Sequence, residues 1–429
     1  MNTQPNLLLV LTDQQHADTI RQLGQAHVET PAMDELVRGG TSFTQSYCAN
    51  PVCSPSRSSI FTSRTTSEAN VWTNGRAIRP DLPTMGEHFR AAGYDTTYAG
   101  KWHVPKCYPN TIEGFRVLSS GIGHQGTVSD PLVTDGCVNY LHGRDTSKPF
   151  LMVASYMQPH DICEWLRTNR MDTGELPYPE IADEFPPLPD NFDAVPEPLS
   201  RAIAKKHAGG EPQIGNWGEM HYRYYIWSYL RHVEMVDAEL ARLLAALETM
   251  DMRRETVVIF TSDHGEGMAH HGMTRKGFLY DESVRVPFVV GGGERMPSGV
   301  VDERTLVSGL DIFPTLCDFA GIEPPSGIKG VSLLPALKGH ALNRTFVASE
   351  CNKNEQQMIR TSRYKYIGYK DDPVEQLFDM QNDPGETRNL SVDETHKPVL
   401  DEHRGMLERW IRELDLAPDL PEACRWEFS

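Results

Sequence analysis

Four stretches of the chain hold side chains that could together work on a negatively charged group. Cys53-Ser54-Pro55-Ser56-Arg57 sets a thiol before a Pro-containing turn and the apolar pair Ile60-Phe61, which predicts that Cys53 stands at or just before a helix N-terminus. Backbone N–H groups at such an end favour an anion, so the position suits a nucleophile and its oxyanion. Alone, the same thiol reads as a buried cysteine beside a capping Ser-Pro pair. Lys101-Trp102-His103 hangs on the end of a strand-like run. In an extended segment residues i and i+2 project to one side, so Lys101 and His103 can face one anion. Asp13-Gln14 and Asp263-His264 each close an apolar run, and two carboxylates at strand ends can meet on one cation. Taken singly, Asp13 reads as a helix N-cap.

The elements that must position these residues are legible from their periodicity. Leu7 to Thr12, Tyr94 to Gly100, Phe150 to Met157 and Thr256 to Ser262 read as strands. The continuous apolar runs among them suit a buried parallel sheet, where ligands bind at the carboxyl edge. Gln158-Pro159-His160-Asp161 turns out of the third strand and offers His160 to the same edge. Helices are predicted after Thr30, over Leu82 to Ala92 with Gly93 as the stop, over Tyr222 to Thr249, and over Ser308 to Ala320. Glu282 to Val290 reads as a further strand. Asp161 to Gly218 is irregular and Pro-rich, the texture of a lid or binding wall. From about Ala341 the pattern changes: Thr345 to Glu350, Met358 to Tyr369 and Gln376 to Asp379 alternate like antiparallel strands, and Lys397 to Leu414 is an amphipathic helix. These features predict an α/β catalytic part over 1–340 and a smaller α+β part over 341–429.

The chain has 429 residues, beyond the size at which one core keeps growing, so a large unit with a smaller one is expected. Its 41 Lys and Arg against 59 Asp and Glu give a net charge of −18, which argues against nucleic acid or an anionic membrane as partner. An anionic substrate must therefore be drawn by a local cationic pocket. No run reaches the ~18 apolar residues of a membrane span. Met1 to Asn6 leads straight into LLLVLT without a basic start, so the sequence as it stands predicts a cytoplasmic protein, or a periplasmic one if an export signal has been trimmed. The eight cysteines lack CxxC pairs and read as mostly reduced thiols without a zinc site.

CxPSR, as it stands at Cys53 to Arg57, resembles the modification motif of the type I sulfatases, formylglycine-dependent members of the alkaline phosphatase superfamily. In them the cysteine is oxidised to formylglycine by a maturation enzyme, and its hydrated aldehyde is the nucleophile. Thr62-Ser63-Arg64 departs from the usual Thr-Gly-Arg after the motif, which bears on maturation more than on chemistry. GYDTTYAGKWH, Gly93 to His103, resembles the second sulfatase signature, and the order of motifs agrees over nearly the whole chain.

The resemblance implies a large mixed, mostly parallel sheet flanked by helices with a small C-terminal α+β subdomain, and hydrolysis of a sulfate ester. It implies that Asp13, Gln14, Asp263 and His264 hold one divalent ion. Hard oxygen ligands favour calcium, and the imidazole leaves manganese open. Cys53 is then the nucleophile precursor and Arg57 holds the hydrate and the ligands. Lys101 and Lys276 neutralise sulfate oxygens, His160 with Lys276 protonates the departing alcohol, and His103 takes the proton that lets sulfate leave. Trp72, Asn74, Arg76, His16 and His124 are pocket candidates by position. A mono- or oligosaccharide sulfate attacked at its end is the expected substrate. Asp13-Gln14 with Asp263-His264 also occurs in phosphonate monoester hydrolases and choline-sulfatase-like enzymes, and an unmodified Cys53 would leave a sulfate-ester binding protein.

Overall fold

The computed structural model describes residues 4–119, 125–169, 176, 178–207, 217–292 and 297–427. His124 and parts of the Asp161 to Gly218 segment lie outside the described residues. The strands are β1 (Asn6–Asp13), β2 (Thr41–Phe43), β3 (Ser46–Tyr47), β4 (Asp95–Gly100), β5 (Arg116–Ser119), β6 (Phe150–Pro159), β7 (Thr256–Ser262), β8 (Phe288–Gly291), β9 (Val300–Asp302), β10 (Val307–Ser308), β11 (Phe346–Cys351), β12 (Gln356–Thr361), β13 (Tyr364–Tyr369) and β14 (Glu375–Asp379). The helices are α1 (Pro31–Gly39), α2 (Cys53–Thr62), α3 (Met85–Ala91), α4 (Gly126–Gly143), α5 (Ile162–Thr168), α6 (Arg201–His207), α7 (Glu219–Thr249), α8 (Asp281–Val284), α9 (Ile312–Ala320), α10 (Leu334–Leu337) and α11 (Lys397–Arg412).

Eight strands make one sheet in the order β5-β4-β6-β1-β7-β8-β2-β9. Every neighbour is parallel except β8, which is antiparallel to both β7 and β2. β1 is buried along its whole length and its side chains alternate between two cores. Leu8 and Val10 pack with residues of α1, α4 and α7, whereas Leu7, Leu9 and Leu11 pack with residues of α2, α3 and α9. A strand covered on both faces has no polar side to show, which is why its sequence reads as one apolar run.

The four-stranded antiparallel sheet β11-β12-β13-β14 stands apart. One face, with Val347, Met358, Ile367 and Phe378, packs on Tyr47, Phe278 and Tyr280; the other, with Ile359, Tyr366 and Leu377, packs under Leu400, Leu407 and Ile411 of α11. The mixed sheet with a smaller α+β part thus agrees with the sequence reading.

Three local expectations change. The helix predicted from Leu82 begins at Met85, because Thr84 and Glu87 form a reciprocal capping box. The strand predicted from Glu282 to Val290 is the short helix α8 followed by β8, because Glu282 is turned inward onto His271 at 2.8 Å. The extended Lys101 to His103 segment is bent: His103 has φ +62°, and the Trp102 and His103 N–H groups both donate to the Cys107 carbonyl, at 2.8 and 3.3 Å. Ser63, where a glycine was expected, adopts φ +52° at the C-terminal cap of α2. Its hydroxyl donates to the Leu310 carbonyl at 2.7 Å and accepts from Gly330 N at 3.1 Å, which offsets the cost of a left-handed non-glycine residue.

Candidate active site

The sheet order delivers the polar residues to one place. β4, β6, β1 and β7 are consecutive parallel strands, so their C-terminal ends lie side by side. Lys101 follows β4, His160 follows β6, Asp13 closes β1, and Asp263-His264 follows β7. The register pairs Thr12 with Ser262 and Asp13 with Pro159, which places Asp13 between Asp263 and His160. Helix α2 brings Cys53, its first residue, to the same edge.

Asp13, Cys53, Asp263 and His264 are buried, and each offers a ligand atom within 4.8 Å of the others. The Cys53 thiol lies 3.2 Å from His264 Nε2 and 3.7 Å from Asp13 Oδ1. Nδ1 of His264 sits 2.9 Å from the Gly265 carbonyl, a contact that needs the proton on Nδ1 and leaves the Nε2 lone pair facing the cluster. Burial disfavours a charged His264, yet Asp263 overrides it and raises its affinity for a proton. Two carboxylates and an imidazole lone pair around one point thus attract positive charge, and the donor set fits a divalent ion.

Arg57 ties the acids together. Its Nε donates to Asp263 Oδ2 at 2.8 Å and its Nη2 to Asp13 Oδ2 at 3.1 Å. Nη1 donates to the Lys101 carbonyl and to Ser155 Oγ, both at 2.7 Å. With no exposed surface, this guanidinium holds the carboxylates from behind. Lys101 Nζ lies 2.5 Å from Asp13 Oδ2. Burial alone would raise the pKa of Asp13, but Lys101, then His160, Arg57 and Lys276, hold it well below the usual carboxylate range. Burial and the Asp13 charge push Asp263 up. The Cys53 thiol feels burial and Asp13 against Lys101, Lys276 and His264, and the cations win, lowering its pKa well below the ordinary value. Burial first, and then Lys276 and Lys101, push His160 down to about 4.

The structure brings Asp13, Cys53, Arg57, Lys101, Asp263 and His264 into direct contact and adds His160, whose Nε2 is 3.9 Å from Asp13 Oδ1. Lys276 joins through Gln14, whose Oε1 accepts from its ammonium. Gln14, with φ +68°, donates its backbone N–H to Asp263 Oδ1 at 3.1 Å, while its side chain lies among Lys276, Cys163 and Glu266. His103 meets α2 through its carbonyl, which accepts from Ser54 Oγ, and its Nδ1 is buried without a partner among the described residues. Asn74 accepts from Ser54 N at 3.0 Å and so caps the helix that carries Cys53, a task Val52 at the N-cap lacks the side chain to do. Arg76 stacks on Trp72 at 4.6 Å and bonds back to Asn70, so this pair braces its own loop. His16 is turned elsewhere, its ring stacked on His270 with centroids 5.2 Å apart. Sequence reasoning gave no role to Ser155, Cys163, Tyr225, Tyr229 or Glu266; of these only Glu266, two residues past His264, carried a local signal.

A buried acid pair with a thiol at a helix start, on the carboxyl edge of this mixed sheet, defines an alkaline phosphatase/sulfatase superfamily hydrolase. The family profile described as Sulfatase matches residues 5–322, and the chain belongs to that family. The profile for the N-sulphoglucosamine sulphohydrolase C-terminal region matches residues 269–413. The Delta 4,5-hexuronate-2-O-sulfatase of Bacteroides thetaiotaomicron is 31% identical, over 95% of this chain and 89% of its own. An N-acetylglucosamine-6-O-sulfatase of the same organism is 26% identical, over 90% of this chain and 82% of its own. Among solved structures, a 2-O GAG sulfatase superposes with a TM-score of 0.85 at 28% identity, covering 99% of this chain and 98% of the other. The phosphonate monoester hydrolase of Agrobacterium radiobacter shares the fold, with a TM-score of 0.81 at 23% identity and 96% of each chain covered. Among the described residues no helix is long and apolar enough to cross a membrane.

Proposed function

We propose that this sulfatase removes a single sulfate group from the end of a mono- or oligosaccharide. The observation that carries the reading is the buried Asp13-Cys53-Asp263-His264 cluster flanked by Lys101 and Lys276, in a chain whose net charge is −18. A long polyanion laid across such a surface is repelled over most of its length, whereas one terminal sulfate reaches the cations. The hexuronate-2-O-sulfatase and 2-O GAG sulfatase relatives make a 2-O-sulfated uronate the first substrate to test.

In this reading Cys53 is converted to formylglycine by a maturation enzyme, and its hydrate is the nucleophile. The donor set fits calcium, with manganese as the ion that His264 would favour. A bound divalent ion would supply charge against the developing oxyanion. Lys101 and Lys276 bind the peripheral sulfate oxygens, and Arg57 keeps Asp13 and Asp263 aligned. A bound sulfate offsets the Lys276 and Lys101 charges that add to burial in depressing His160, and His160 with Lys276 then delivers the proton to the alcohol oxygen. His103, whose buried Nδ1 has no partner among the described residues, accepts the proton released as the aldehyde re-forms. Residues 1–340 form the catalytic unit in this account, since every one of these side chains lies within them.

The test compares kcat/KM across sulfated sugars, choline sulfate, an aryl sulfate and a phosphonate monoester, before and after exhaustive chelation. Saccharide sulfates should lead, activity should vanish on chelation, and elemental analysis should find about one hard divalent ion per chain. A clear preference for the phosphonate would replace the assignment, and one for choline sulfate would remove the sugar.

A further inference from the structure

Behind the cluster, Gln14 faces a choice that its own side chain does not settle. An amide has one acceptor end and one donor end, and the two can be exchanged by a half-turn. Lys276, an ammonium with donors only, approaches one end of Gln14. Glu266, fully buried, approaches the other: its Oε2 lies 2.5 Å from Gln14 Nε2. The second oxygen of Glu266 accepts from Tyr225 OH at 2.5 Å, from Arg275 N at 2.6 Å and from Met268 N at 3.2 Å. Four donors therefore converge on this carboxylate, which is acceptor-only when ionised. The Gln14 backbone is gripped as well, since Tyr229 OH donates to the Gln14 carbonyl at 2.6 Å and accepts from His16 N at 2.8 Å.

We propose that Glu266 is a positioning residue that fixes the orientation of the Gln14 amide, so that its oxygen is presented to Lys276 and the ion-binding edge. Tyr225, on α7, and the backbone N–H groups of Arg275 and Met268 hold Glu266 in place. The long helix and the loop that carries Lys276 are thereby coupled to the end of β1. The inference rests on the sulfatase reading for its activity readout and on the divalent-ion site proposed above for its Ca2+ readout.

Exchanging carboxylate for amide at either position sets donors against donors or acceptors against acceptors. In Glu266→Gln, the three donors from Tyr225, Arg275 and Met268 claim the new amide's oxygen, and its NH2 group is left facing Gln14. Gln14 must then either oppose NH2 with NH2 or turn over and oppose the Lys276 ammonium with its own NH2. Gln14→Glu alone sets two carboxylates against each other. The double variant removes both conflicts, because the carboxylate it places at position 14 accepts from the amide at position 266 and from Lys276 alike.

The experiment measures kcat/KM on the best sulfate ester, Ca2+ affinity by calorimetric titration, and Tm, for the wild type, both single variants and the double. Each single substitution should lower activity and Ca2+ affinity by about 10- to 100-fold, as loss of a partner behind a metal ligand does. The double should recover at least about tenfold over Glu266→Gln in both. Wild-type values for Glu266→Gln would overturn the proposal, and so would a folded double variant no better than the worse single. If Glu266→Gln does not fold, the double, which keeps every donor matched to an acceptor, still decides. A wild type with no sulfatase turnover defeats the functional reading, and the Ca2+ affinities continue to test Glu266 independently.

Discussion

The Cys53 thiol lies 3.2 Å from Nε2 of His264, so the first residue of α2 meets the loop after β7 across 211 positions of sequence. A nucleophile generated at Cys53 is thereby in contact with the edge that attracts a cation. Expressed without a serine-type maturation system, Cys53→Ser should lower turnover by about 10⁴-fold or more, the scale seen when a nucleophile is removed, while leaving Tm and Ca2+ affinity nearly unchanged. Only a geminal diol can release sulfate by elimination, and a serine that has not been oxidised to the aldehyde cannot form one. Peptide mass spectrometry of active protein should find an aldehyde at position 53; fully active enzyme with an intact thiol there would sink the assignment.

Arg57 should prove as much a folding residue as a catalytic one. Its removal leaves Asp13 and Asp263 as buried acids that have lost their shared partner, and breaking a buried pair in this way costs about 3–5 kcal/mol. Arg57→Ala should lower stability by that amount in denaturant melts. Arg57→Lys should recover little, because one ammonium cannot reproduce the planar fork that reaches both carboxylates, the Lys101 carbonyl and Ser155. A destabilisation under about 1 kcal/mol for Arg57→Ala would show that the carboxylates find other partners, as only a weak surface pair would allow.

How much of this was legible in the sequence follows from where each residue's partners lie. Asp13, Lys101, His160 and Asp263 end apolar strands, and parallel strands must align their ends, so local patterning sufficed to group them. The extended path expected through His103 is not found, because its backbone is bent by the Cys107 carbonyl four residues on, a contact that no periodicity encodes. Glu282 reads as part of a strand until its partner His271 is known, because the pull that turns it inward comes from another loop. Glu266 is the extreme case: its donors come from Gln14, Tyr225 and Arg275, and only the folded sheet gathers them.

The Glu282–His271 pair predicts a pH dependence of stability. Burial opposes both charges, but each partner overrides it: His271 is raised above its ordinary 6.5, and Glu282 is lowered from 4.5 to about 2. A raised histidine contributes fully below 6.5 and loses its contribution as pH rises through its folded value. A depressed glutamate contributes above 4.5 and loses its contribution as pH falls towards about 2. The stability difference between wild type and Glu282→Gln should therefore be greatest between about pH 4.5 and 6.5 and shrink on both sides. Calorimetry across this range decides it, and a difference independent of pH would show that the pair is held by its hydrogen bond alone.

In the proposed mechanism, leaving-group chemistry separates His160 from the lysines assigned to the sulfate oxygens. An alcohol departing from a sugar sulfate needs a proton as the bond to sulfur breaks, whereas an acidic phenol departs readily as its anion. His160 stands at the lip of the cluster, half-buried, with its Nε2 3.9 Å from Asp13 Oδ1. His160→Ala should therefore cost about 10²–10⁴-fold in kcat on a sugar sulfate, the usual worth of a general acid, and about tenfold or less on nitrophenyl sulfate. Lys101→Ala, which strips charge from the sulfate itself, should slow both substrates by comparable factors. Measuring the four rate ratios with wild-type metal content confirmed in each variant isolates the proton from the electrostatics. Equal losses on both substrates for His160→Ala would assign it to sulfate binding and leave Lys276 as the proton donor.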